Sequence, residues 1–399
     1  MMLKYEIRKI LYKRLNRILL IAILLLSVVF SAFAIGSFNY VDQNGVTHQG
    51  PTAARSLIAD KNRWKGKLTP DVIAKIVDTD HAVSGLSSNT DSDKAYGKDI
   101  QSYEDIVSSA SLMLNGERSD NTDDYAILSA NHSQIKSIYE TYVRNLKLNA
   151  EEYGKTPKGK EFLLTKYQKI EMPLNYEAPD SWSTMMLYAT TFSLILVVII
   201  GFLTAGIFSE EYSCKADAVF FTSRCGRNAA VRNKILAGLI IATIVYWIGI
   251  LLLSAICFTV MGTSGSGTLY QLSYPYSVYV LTHAQVYGVI LLCGYVASLL
   301  SASITMLTAA KMRSMHLAVC LPFLLFFVSP FIGRALPFTT FFSLTPDQLT
   351  NIMNCSRIPY IYQFGEIAFR QIPFITVLYL VIALCLLPFA YNAYRRVAV

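Results

Sequence analysis

The chain has 399 residues, of which 53% are hydrophobic and only 16% charged, with a mean hydropathy of +0.39. That balance excludes a soluble globule of this size, and the chain reads as an all-α polytopic membrane protein. The net charge of +8 is unevenly placed: the stretch from Asn39 to Ser183 holds 17 basic and 21 acidic residues, which leaves 18 basic against 6 acidic for everything else.

At the amino terminus, residues 2 to 17 place Leu3, Ile7, Ile10, Leu11 and Leu15 on one helical face, with Lys4, Arg8, Lys9, Lys13, Arg14 and Arg17 over much of the remainder. This pattern predicts an amphipathic helix on a membrane surface, or a basic segment that serves only to orient the chain. The first apolar run follows, from Ile18 to Phe38. With Ala32-Phe33-Ala34 inside it the run resembles a signal peptide, but it continues past Ala34 and its basic flank is long and amphipathic, so it is expected to stay attached. Residues 1–38 therefore form one membrane-associated unit.

Residues 39–183 form a separate, mostly helical domain between the first and second spans. Thr69-Pro70-Asp71 supplies a cap and a first-turn Pro for one helix, and a second is expected from Tyr103 to Leu114, stopped by Asn115-Gly116. A third from about Ser133 aligns Ile135, Ile138, Tyr142 and Leu146, and a fourth begins near Pro157. Ser87 to Lys98 reads as a flexible loop, and Trp182 marks the membrane interface.

Residues 184–399 hold the remaining spans. A span needs about 20 apolar residues, and the runs Ser183 to Phe208, Ile235 to Met261, Ala284 to Ala310, Leu317 to Gly333 and Pro373 to Tyr391 bring the total to six. Pro322, Pro330 and Pro388 should bend the last two. The basic residues cluster at the amino terminus, in the loop after the second span (Lys215, Arg224, Arg227, Arg232, Lys234), after the fourth (Lys311, Arg313) and in the tail (Arg395, Arg396). The positive-inside rule puts both termini in the cytoplasm and the 39–183 domain outside. The loop at 262–283 should lie flat on the outer surface. The outer loop 334–372 should hold a short helix opened by Thr345-Pro346-Asp347 and an i,i+4 pair of Glu366 with Arg370. Of seven cysteines, Cys355 is the one expected to face outward.

None of the six apolar runs contains Asp, Glu, Lys or Arg, whereas ion-coupled carriers depend on such residues in the membrane. The phosphate-binding loop, the Ser nucleophile elbow and metal-ligand spacings are also missing, so the sequence offers no catalytic site, no bound cofactor and no metal. The basic residues lie beside spans with no reader fold, which argues against nucleic acid as a partner. Work against a gradient would need an outside energy source.

The polar stretch 209–234 is the one sizeable basic loop in the apolar half. Glu210 and Glu211 close the second span, a short helix is expected over Ala216 to Ser223, Gly226 should break it with a positive φ, and Asn228 can cap the helix that leads through Lys234 into the third span. In Glu211-Tyr212, Ala216-Asp217, Ser223-Arg224, Gly226-Arg227 and Lys234 the chain resembles the permease subunits of ABC-2 type exporters, although Lys215 stands where that family often has Gly or Thr. The resemblance implies a bacterial plasma-membrane subunit that pairs with a second permease, as homodimer or heterodimer, and docks on an ABC ATPase that binds the ATP. Docking would use the amino-terminal helix and this loop, with Glu210, Glu211, Arg224, Gly226, Arg227 and Lys234 as coupling residues and short outward or re-entrant helices in the outer loop. It implies export of an amphipathic or hydrophobic peptide, lipid or drug. The alternatives are an ATPase-coupled mechanotransmitter whose outer domain is the effector, and a membrane-anchored enzyme or scaffold; for the basic residues singly, the alternative role is anchoring to anionic lipid.

The intact mass of the purified protein is expected to include Met1 or Met2; a mature amino terminus at Ile35 would contradict the reading of the first run as a retained span.

Overall fold

The computed structural model describes residues 2–84, 92–116, 124–213, 226–335, 339–365 and 367–395. The protein is mostly helical, at 78%. Among the described residues, six helices are long and apolar enough to cross a membrane: Arg14–Gly36, Asp180–Tyr212, Asn228–Met261, His283–Met312, Met315–Gly333 and Gln371–Arg395. The last five each contain one of the apolar runs, the first ends two residues before Phe38, and several extend a turn or more into polar residues.

The second and fourth spans form the centre of the bundle, with 67% and 72% of their most apolar windows buried against 28%, 22% and 17% for the first, fifth and sixth. Small residues let the fourth span occupy that place. Gly294, Ala297, Ser298, Ser301, Ala302 and Thr305 are all buried along it. A Cβ on Gly294 would stand 2.4 Å from Tyr246 Oη and 2.8 Å from Ser193 Oγ. The backbones therefore approach closely, and polar side chains bond across the contact: Ser301 Oγ donates to the Val197 carbonyl at 2.9 Å, and Tyr246 Oη donates to the Leu291 carbonyl at 2.7 Å. In the fifth span Pro322 cannot continue the normal ladder, and a π-helical turn, Leu324–Val328, follows it.

Between the first and second spans the chain folds into a helical insert. The expected helices are present as Pro70–Ser84, Glu104–Asn115 and Pro157–Tyr167, the last capped by Thr156. The helix expected from Ser133 is split at Ser137 into His132–Lys136 and Ile138–Tyr153, and its first part carries a capping box of Asn131 and Gln134. The sequence reading missed Pro51–Lys61, the short antiparallel hairpin of Asn39–Val41 with Thr47–Gln49, and the long-range antiparallel pair of Gly66–Lys67 with Asn175–Tyr176. The flexible loop expected over Ser87 to Lys98 is helical from Ser92 to Lys98. Gly97 explains why: a Cβ there would lie 2.3 Å from the Asp42 carbonyl oxygen, so this helix packs directly on the first hairpin.

The insert is tied to the bundle by polar contacts. Lys61 Nζ is 2.7 Å from Asp180 Oδ1 at the start of the second span and 3.5 Å from Asp105 Oδ2. Arg55 Nε donates to the Val260 carbonyl at the end of the third span at 2.8 Å. The 262–283 loop does not lie flat on a surface. Thr268, Tyr270, Gln271, Ser277 and Val278 are essentially fully buried, because the insert covers them: Tyr167 Oη donates to the Tyr276 carbonyl at 3.0 Å and Tyr276 Oη to the Leu112 carbonyl at 2.9 Å. Alternation of Gly, Ser and Tyr resembles an exposed loop in the sequence, yet the tyrosine rings supply a core once a second surface closes over them.

The fifth span ends in the helix Ser329–Ala335, and the 334–372 loop holds short helices at Thr339–Phe342, Pro346–Thr350 and Ile352–Arg357, followed by the hairpin Ile361–Phe364 with Ile367–Arg370. The expected Thr345-Pro346-Asp347 start is correct. The i,i+4 pair of Glu366 and Arg370 is not a helical pair, because Arg370 ends a β-strand and sits over the Tyr279 ring; Glu366 itself lies outside the described residues. Cys355 is buried within the protein. It is 4% exposed, and burial pushes its thiol up to about 12.

Gly265 marks the contact between the buried loop and the insert. Its φ is +74°, and a Cβ there would lie 2.4 Å from the Ala178 carbonyl oxygen, whereas a Cβ on Gly267 meets nothing within 4 Å. Gly265→Ala is expected to destabilise the purified protein by about 1–3 kcal/mol in thermal melts, with Gly267→Ala near neutral. Equal melting of the two variants would contradict this packing.

Candidate functional site

The helices extend past the apolar runs at the end of the bundle that carries both termini, and this extension builds the site. The second span continues as helix through Glu210 and Glu211, and the third begins with a π-helical turn at Gly226–Ala230 that leads into Val231–Met261. Lys215, the expected helix over Ala216 to Ser223, and Arg224 lie outside the described residues. Gly226 opens a helical turn in place of the positive-φ break expected there, and Arg227 follows it in the same turn. Asn228 sits inside the turn and does not cap it; its side-chain oxygen accepts from Tyr391 Oη on the sixth span at 3.2 Å.

The amino-terminal helix spans Met2–Tyr12, shorter than the expected 2–17, because Lys13 takes an extended conformation and Leu15 then belongs to the first span. Ile10 is its buried residue. The turn at Lys13 folds this helix back along the ends of the second and third spans and brings Glu6, Lys9 and Lys13 to the Glu210-Glu211 pair.

Glu211 is the meeting point. It is 6% exposed, and its Oε1 accepts from Lys234 Nζ at 2.7 Å and from Lys9 Nζ at 2.8 Å. Its Oε2 accepts from Tyr394 Oη at 3.1 Å. Lys234 is 1% exposed, and its ammonium completes its shell with the Ile207 carbonyl at 3.1 Å and Glu6 Oε2 at 3.4 Å. Glu210 lies nearer the surface, with Oε2 2.9 Å from Lys13 Nζ and 3.1 Å from Lys9 Nζ. Partial burial opposes the charge on Lys9, but Glu211 and then Glu210 outweigh it and hold the ammonium up at about 12. Rings complete the cluster: Tyr394 packs on Phe208 at 4.6 Å and on Tyr212 at 5.9 Å, while the Arg313 guanidinium stands 5.0 Å over the Tyr212 ring.

Of the six residues singled out in the sequence, Glu210, Glu211 and Lys234 converge here. Gly226 and Arg227 stand two turns earlier on the third span's helix, and Arg224 is outside the described residues. The sequence reading missed Glu6, Lys9, Lys13 and Tyr394 as partners. A signal existed for Lys9 and Lys13, since Glu210 and Glu211 needed counter-charges. Tyr394 gave none. Compared with known proteins, the chain matches no family model and no curated protein.

A buried ion pair broken on one side leaves an uncompensated charge and costs about 3–5 kcal/mol, whereas replacing both partners costs far less. Glu211→Gln and Lys234→Met are each expected to lower stability by that order in lipid nanodiscs, and the double variant to recover most of the loss. Additive losses in the double variant would show that the two do not act as a pair.

Proposed function

We propose that the chain is the permease subunit of an ABC-2 type exporter, set in the plasma membrane of a bacterium with both termini in the cytoplasm and the insert outside. One observation carries the reading: Glu211 binds Lys9 of the amino-terminal helix and Lys234 of the third span at once. The resembled family docks its ATPase through the amino-terminal helix and the loop after the second span, whose two ends carry Glu211 and Lys234, and a shared carboxylate would make these elements move as one body. In this reading Glu210, Glu211 and Lys234 hold the coupling elements together, and Arg224, Gly226 and Arg227 form the edge that meets the ATPase. The partner binds and hydrolyses ATP, a second permease completes the pathway, and the cargo is an amphipathic or hydrophobic peptide, lipid or drug.

A second reading, transmission of force to the insert without transport, is favoured by the contacts Lys61–Asp180 and Arg55–Val260, which would carry a movement of the spans into the insert. The two readings part on cargo flux in reconstituted vesicles, which transmission alone does not produce.

Arg227→Lys keeps the charge but loses the planar fork of donors. In a complex reconstituted with its ATPase, this variant is expected to lower ATP-driven export about tenfold, as for one lost charge-assisted contact of ~1.4 kcal/mol, with the complex still assembled. Wild-type export by Arg227→Lys would assign Arg227 to lipid anchoring.

A further inference from the structure

At the opposite end of the bundle, the 334–372 loop and the end of the fifth span line an open cavity of about 310 Å³, with Asp347, Gln348, Phe342, Asn351, Tyr360 and Ile358 among its walls. Asp347 is 2% exposed. Its Oδ1 accepts from Ser329 Oγ at 3.0 Å and its Oδ2 from Gln348 Nε2 at 2.8 Å. These partners are neutral, and among the described side chains, which do not include that of Arg334, no ammonium, guanidinium or imidazole pairs with this carboxylate. Burial pushes its carboxyl up, and hydrogen bonds from Thr345, Ser329 and Gln348 offset this only in part. A carboxylate has about four acceptor positions, and Thr345, Ser329 and Gln348 take three of them at Asp347, which is itself among the residues that line the cavity. A buried carboxyl without a cation is costly to keep ionised unless a ligand supplies the charge.

The rest of the lining selects the ligand class. Among the described residues no group of three or more His, Cys, Asp or Glu side chains is placed to hold a metal ion, so Asp347 is the one carboxylate at this cavity. The cavity combines this carboxylate with neutral amides and hydroxyls, among them Asn351, Asn354 and Gln371, and with the aromatic and apolar side chains of Phe342, Tyr360, Pro330 and Ile358. Aromatic rings attract a cation that carries hydrocarbon, and a volume near the lower bound of small-molecule pockets suits a compact amine.

We propose that this cavity binds an organic ammonium group, with Asp347 as the counter-charge and Phe342 and Tyr360 as its walls. The inference rests on the cavity alone and stands whether or not the chain is an exporter. The test is calorimetric titration of the full chain in lipid nanodiscs with 2-phenylethylammonium, with 2-phenylethanol as the neutral isostere and sodium chloride as the inorganic cation. The amine is expected to bind at least tenfold more tightly than the alcohol and to keep its affinity at matched sodium concentration. Asp347→Asn should lower amine affinity at least tenfold and leave the alcohol unchanged. Ile358→Trp, at a position already 47% exposed, should block the amine without touching the carboxylate. Absence of amine binding, equal binding of amine and alcohol, displacement by sodium alone, or amine affinity unchanged in both variants would overturn the proposal.

Discussion

The buried pairing of Glu211 with Lys234 constrains the whole terminus-bearing end of the molecule. Neither charge can be left alone where it lies, because an ion moved out of water loses several kcal/mol of solvation even after the protein relaxes around it. The second and third spans must therefore meet at this register, and the amino-terminal helix must fold back so that Lys9 reaches the same carboxylate oxygen. Tyr394 adds the last helix through the other oxygen. Four elements distant in sequence are fixed by one side chain, and a small displacement of any of them is felt by the other three.

The opposite end is built on another principle. There the insert and the 262–283 loop bury one another through tyrosines whose rings fill space and whose hydroxyls reach backbone carbonyls, as Tyr167 and Tyr276 do. Packing of this kind gives a broad, stiff contact, with Lys61 adding an ionic tie to Asp180. The molecule thus has a polar node at one end and a covered aromatic layer at the other, linked by the closely packed second and fourth spans.

The six spans were legible because apolar runs of this length have few other fates, and the insert helices because Pro70, Pro157 and Gly116 punctuate them clearly. Half of the node was legible too, since Glu210, Glu211 and Lys234 flank apolar runs. What the sequence hid were contacts between distant residues. Nothing local to Tyr394 points to Glu211, and the composition of residues 262–283 is the same whether the loop is wet or covered. The burial of Cys355 and Asp347 was hidden for the same reason: the polar 334–372 loop folds back among the fourth, fifth and sixth spans and buries both. Asn228 has the right chemistry for a cap, but the helix starts at Gly226, ahead of it.

The claim that Glu211 holds these elements together is tested most directly by hydrogen exchange of the Glu211→Gln variant in lipid nanodiscs. The account predicts faster exchange in Met2–Tyr12, in the first turns after Gly226 and in the last turn before Arg395, with the amides of the insert unchanged. Exchange in Met2–Tyr12 indistinguishable from that of the unaltered protein would contradict it.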